Sequence, residues 1–124
     1  MTDKPVLVPD QSHPITVEPA PSRVRISYGD RLIADTDRAL VLTEAAYPPV
    51  VYVPVDAVDT EVLEPSAHQT YCPYKGDASY FTLRDGDRVA EDAVWRYVTP
   101  YDAVAPIAGH VAFYPQHVRI EQVA

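Results

Sequence analysis

A mainly β domain, built most simply as two packed antiparallel sheets with one short helix, is predicted by three features of this 124-residue chain. Thirteen prolines and nine tyrosines oppose long helices, because proline costs about 3 kcal/mol inside a helix and tyrosine fits a pleated surface better. Apolar and polar residues alternate in short runs, the period of a strand with one buried face. The pairs Gly29-Asp30 and Asp85-Gly86 break those runs at hairpin spacing, with glycine supplying the positive φ that tight turns need. The length suits one domain with one core.

Residues 1–21 carry Pro5, Pro9, Pro14, Pro19 and Pro21 without an amphipathic period, and read as an extended arm that lies on the surface or packs on a second subunit in a homodimer. Residues 22–124 form the domain. Val24, Ile26 and Tyr28 alternate with Arg25 and Ser27, then Gly29-Asp30 reverses the chain into Arg31–Asp35. Ala39–Thr43 is a third strand, and Val50–Val53 a fourth after the stiff Pro48-Pro49 corner. Pro54–Val58 suits a single helical turn, and Glu61–Glu64 runs extended into a turn-rich segment, 66–80. Ala78–Leu83 and Arg88–Glu91 make a second hairpin around Asp85-Gly86. Val94–Val98 places Trp95 and Tyr97 on one face and Arg96 on the other. Tyr101–Ala108 is the best helical stretch, kept short by Pro106 and Gly109; His110–Tyr114 and Val118–Ile120 finish as strands.

Charge and cysteine usage narrow the function classes. Ten basic against eighteen acidic side chains give a net charge of −8, which repels a polyphosphate backbone and argues against nucleic acid as partner. No apolar run approaches the roughly 20 residues that span a bilayer, so a membrane is not expected and the cytoplasm is the expected location. The single cysteine allows no intramolecular disulfide and no Cys-x-x-Cys knuckle, so no structural zinc is expected.

The chemistry concentrates between Ser66 and Tyr80, which hold the lone Cys72, His68, Lys75 (one of two lysines) and Tyr71, Tyr74 and Tyr80. Cys72 lies three residues before Lys75, close enough for an ammonium to favour a nucleophilic thiolate; the plainer reading is a small buried hydrophobe. Lys75 suits contact with a ligand or an ion pair with Glu44 or Glu64. Glu44, at the end of an apolar strand, reads either as a general base with raised pKa or as an exposed strand-end carboxylate. His68 and Cys72, four residues apart, are too few for a metal site, so none is assigned. Tyr52, Tyr71, Tyr74, Tyr80, Trp95 and Tyr97 pair apolar bodies with polar tips and can line a pocket or fill a core. His13 reads as solvated, and His110 and His117 as structural.

Several of these stretches occur together in a known family. Ala34-Asp35, Arg38-Ala39-Leu40, Glu44, Tyr47-Pro48-Pro49-Val50-Val51-Tyr52, Leu63-Glu64-Pro65-Ser66, Thr70–Gly76, Ala78-Ser79-Tyr80, Trp95-Arg96-Tyr97 and Ala108–Tyr114 resemble the domain of unknown function 427 family, from about Val24 to Val118. The resemblance implies a compact antiparallel domain of β-tent, or Mss4-like, architecture. It also carries a nucleotidyltransferase label. This chain has no Gly-Ser motif before paired aspartates and no phosphate-cradling glycine loop, and Asp37 stands where the family usually has a basic or neutral residue.

The expected site is therefore a small-molecule pocket around the Cys-Pro-Tyr-Lys-Gly segment. Cys72, Lys75 and Glu44 are its candidate catalytic groups. Tyr52, His68, Thr70, Tyr74, Tyr80 and Trp95 are its candidate ligand contacts, with Arg38 from the family motif. The alternatives are a protein-binding or assembly module with a flat apolar face and, behind it, a nucleotidyltransferase.

Overall fold

The computed structural model describes residues 5–123. Among them ten strands follow in chain order: β1 (Ile15–Pro19), β2 (Arg23–Tyr28), β3 (Arg31–Thr36), β4 (Leu40–Glu44), β5 (Val50–Pro54), β6 (Leu63–Cys72), β7 (Gly76–Asp85), β8 (Arg88–Arg96), β9 (His110–Phe113) and β10 (Arg119–Val123). They form a seven-stranded sheet of order β1-β4-β5-β9-β8-β7-β6 and a three-stranded sheet of order β10-β2-β3. Every pairing is antiparallel. Gly29 (φ 59°) and Gly86 (φ 61°) turn the two hairpins anticipated from the sequence.

The alternation of side chains across each strand divides the interior into two cores on opposite faces of the large sheet. On β5, Val53 points to one core and Tyr52 to the other; β9 does the same with Val111 and Phe113 against Ala112, and β7 with Leu83 against Tyr80. The first core is covered by Val24, Ile26 and Ile33 of the small sheet. Burying a side chain such as Ile26 or Leu83, both essentially inaccessible, contributes about 1.5–3 kcal/mol. The second core is closed by Val104 and Ile107 and is richer in tyrosine, with Tyr52, Tyr80 and Tyr97. The candidate site opens on that second face and extends to Phe113 and Ile120 beside the first core.

Three local departures from the expected elements have physical causes. The short helix expected over Tyr101–Ala108 is a three-ten segment, Asp102–Ile107, kinked at Val104 (φ −126°, ψ 23°) and containing Pro106, which removes a donor and obstructs the preceding turn. The segment expected to be turn-rich from Ser66 onward is strand up to Cys72, and only Pro73, Tyr74 and Lys75 form the turn into β7. Finally, part of the stretch set apart as an arm, Ile15–Pro19, is an edge strand of its own large sheet, paired with β4 from Ile15↔Glu44 to Pro19↔Leu40. No helix among the described residues is long and apolar enough to cross a membrane.

Candidate functional site

The β6–β7 turn owes its shape to its sequence. Pro73 cannot extend a ladder, and Gly76 takes φ 110°, a conformation that side-chain-bearing residues rarely adopt. The Lys75 N–H donates to Cys72 O (3.2 Å), and the Lys75 carbonyl accepts from Tyr101 N–H (3.0 Å). The turn thus fixes the root of a side chain that is 11% exposed. Its Nζ donates to Glu44 Oε1 at 2.5 Å.

Glu44 is held from a second side. His13 Nε2 lies 2.7 Å from Glu44 Oε2, and because an ionised carboxylate only accepts, the imidazole N–H donates. The His13 ring stacks on Tyr74, centroids 4.1 Å apart. Asp10 presents His13: its carboxylate accepts from Ser12 N–H, Ser12 Oγ and His13 N–H. Ala45, beside Glu44 at φ 48°, donates its N–H to Pro14 O at 2.7 Å. The result is a chain from cation to carboxylate to imidazole, assembled from the β6–β7 turn, the end of β4 and the segment before β1.

Lys75 and Glu44 of this chain border a hollow with two lobes of about 230 and 540 Å³, while His13 stands behind Glu44, outside both linings. Glu44, Tyr47, Pro48, Val50, Lys75 and Trp95 border both lobes. The smaller lobe adds Leu42, Tyr52, Tyr80, Tyr97 and Tyr114; the larger adds Cys72, Phe113, Pro115 and Ile120 among others. The Trp95 indole N–H donates to Tyr52 Oη at 3.2 Å, the two rings meeting edge to face. Tyr80 Oη hydrogen-bonds Thr70 Oγ1 at 2.9 Å. Tyr47 stands 65% exposed at the rim.

Burial and neighbours set the ionisation of these groups. Burial pushes the Glu44 carboxyl up, but hydrogen bonds from Lys75 and His13 and the attraction of their charges outweigh it, so it is held below its ordinary 4.5. Of the two readings left open for Glu44, the raised-pKa general base is opposed by these two donors, and the exposed strand-end carboxylate by a side chain only 17% exposed. Burial pushes the Tyr52 phenol up to about 12 and raises Tyr97 further. Tyr114 is raised by burial and by its hydrogen bond to Tyr80.

The structure brings Cys72, Lys75, Glu44, Tyr52, Tyr80 and Trp95 to one hollow. Tyr74 serves behind it as the platform under His13. Thr70 and His68 are exposed on β6; Thr70 reaches the hollow only through Tyr80, and the His68 ring packs on Tyr80 at 4.5 Å. Arg38 does not border the hollow and pairs with Asp56 at 3.0 Å on the surface. The other carboxylate considered for Lys75, Glu64, pairs with Arg84. His13, read as solvated, is a partner of Glu44, and Tyr114 was not singled out. The Asp10-x-Ser12-His13 turn was the only local signal for His13. Among the described residues no group of three His, Cys, Asp or Glu side chains is placed to hold a metal ion.

Fold and hollow together define a mainly β domain of two antiparallel sheets whose larger sheet carries a salt-bridged lysine beside an aromatic wall. The chain belongs to the family described as Domain of unknown function (DUF427), which matches residues 16–124. No curated protein matches it. The matched region begins within β1, so His13 lies ahead of it.

Proposed function

We propose that this domain binds a small, largely apolar organic molecule in the hollow, with the Lys75 ammonium as the polar anchor. The observation that carries this reading is the state of Lys75: it borders both lobes, yet among the described residues Glu44 is the one hydrogen-bond partner of its Nζ. An ammonium has three N–H donors, and a buried donor left unmet costs about 1–3 kcal/mol. A ligand oxygen or water must meet the others. Concave, mostly apolar walls with a few convergent polar groups are the usual form of a small-molecule site. Cys72 borders the same space and supplies the nucleophile of a catalytic version of this reading. A nucleotide is the poorer fit, because the basic group that would meet its phosphates is already paired with Glu44, whose charge repels them.

A thermal-shift screen of metabolite mixtures on wild type and Lys75→Met tests the proposal. A ligand at 100 times its Kd adds about 2.7 kcal/mol, a shift of several degrees. The expected hit stabilises wild type more than the variant. If no compound does so, and Cys72 resists thiol reagents in the folded protein, the assembly-module reading replaces this one.

A further inference from the structure

We infer that the hollow selects an uncharged ligand bearing a carbonyl-type acceptor, and that His13 is a specificity-determining residue for that choice; the inference rests on the binding reading above. Glu44 and Lys75 are the charged side chains bordering the two lobes, and at 2.5 Å their charges cancel. An anion brought to Lys75 meets Glu44, and a cation brought to Glu44 meets Lys75. Either arrives stripped of water in a half-enclosed space where an unmatched charge is costly. The phenols of Tyr52 and Tyr97, kept protonated by burial, add no charge.

His13 then decides the polarity of what remains. Glu44 Oε1 accepts from Lys75 and Oε2 from His13, so each carboxylate oxygen already holds one donor, and about half of its acceptor capacity is taken, before a ligand enters. Lys75 keeps N–H groups to offer. The polar end of the hollow is thus weighted toward donation, and the group it best receives is an acceptor. Without His13, Oε2 loses its donor and the same corner accepts hydrogen bonds more readily. Trp95, Tyr47, Val50 and Leu42 supply flat and aliphatic walls for a ring.

The test uses three probes of one size, benzamide, benzoate and benzylamine, at about pH 8, where free imidazole is neutral. Trp95 is the one tryptophan of the chain, so its indole N–H resonance reports binding at the hollow in titrations of wild type, His13→Ala, His13→Gln and Lys75→Met. In wild type, benzamide is expected to bind at least about tenfold more tightly than either charged probe, a 1.4 kcal/mol difference. His13→Ala is expected to strengthen benzylamine and erase the preference, His13→Gln, which keeps an N–H donor, to preserve it, and Lys75→Met to weaken benzamide. Benzoate or benzylamine matching benzamide in wild type overturns the ligand class, and an unchanged preference in His13→Ala overturns the role of His13. Failure of every probe at millimolar concentration also overturns the ligand class. Binding itself is decided separately by the metabolite screen, whose hits would survive that outcome.

Discussion

His13 and Tyr74 lie face to face, their ring planes 4° from parallel. The stack ties the segment before β1 to the turn that carries Lys75. Two further bonds repeat the tie: Leu7 N–H donates to Pro73 O at 2.9 Å and Tyr71 Oη donates to Pro5 O at 2.6 Å. With its proton so committed, Tyr71 accepts from Tyr101 Oη at 2.7 Å. The proline-rich stretch is therefore a buttress of the turn.

The Lys75–Glu44 pair is coupled. Removing one partner of a buried pair costs about 3–5 kcal/mol, and partial exposure, 11% and 17% of the two side chains, places Lys75→Met near the lower bound. The double variant Lys75→Met/Glu44→Gln is expected to recover part of that loss. Urea unfolding of the two single variants and the double variant measures the coupling. Additive losses contradict it.

Acid should weaken the fold partly through Glu44. Its folded pKa lies below the unfolded 4.5, so its contribution is fully present above about 4.5 and is lost as pH falls through the lower, folded value. The stability gap between wild type and Glu44→Gln is expected to be widest above pH 4.5 and to shrink below it. In His13→Ala one of the lowering influences is gone, and the Glu44 carboxyl, followed by ¹³C NMR, is expected to titrate at higher pH than in wild type. A fixed midpoint would show that His13 does not act on Glu44.

Gly76→Ala should destabilise more than Gly86→Ala. A Cβ at Gly76 would sit 3.5 Å from Thr99 O, an ordinary contact, but φ is 110°, outside the left-handed helical well, where strain costs about 1–3 kcal/mol. Gly86, at φ 61° with open space around it, costs about 1–2 kcal/mol. Equal chemical-denaturation midpoints for the two variants would contradict the ordering.

Tyr52→Phe should remove the acceptor of the Trp95 indole N–H. An unmet buried donor costs about 1–3 kcal/mol, and Trp95 fluorescence is expected to change with it. In ultraviolet titration the difference between wild type and variant should contain a phenolic step near pH 12. A step near pH 10 would mean that Tyr52 is solvated.

The sheets were legible because period two and glycine turns are local signals: Gly29 and Gly86 each turn the chain where the sequence places them. So was an ion pair with Glu44 or Glu64 as one of the two readings of Lys75, since an ammonium rooted in a proline-glycine turn needs a carboxylate, an anion or water. The choice between Glu44 and Glu64 was not, because it depends on the register that gives Glu64 to Arg84 across β6 and β7. His13 stayed hidden for a similar reason. Prolines advertise extended backbone but not what that backbone lies against, and the β1–β4 ladder that brings His13 to Glu44 is a long-range pairing. Arg38 was drawn in by its family motif, whereas its side chain finds the nearer Asp56.

The small sheet places β2 between β3, its immediate successor, and β10, with Ser27 opposite Arg119. Nearly the whole domain separates those two partners in sequence. While the chain is being synthesised, the β2–β3 hairpin can form early, but its outer edge stays open until β10 has left the ribosome. Contacts this far apart slow folding, because loop closure must be met before they gain anything, and an open edge can recruit another nascent chain. Arg25 on that edge, opposite Glu121 once β10 docks, puts a charge there during the wait.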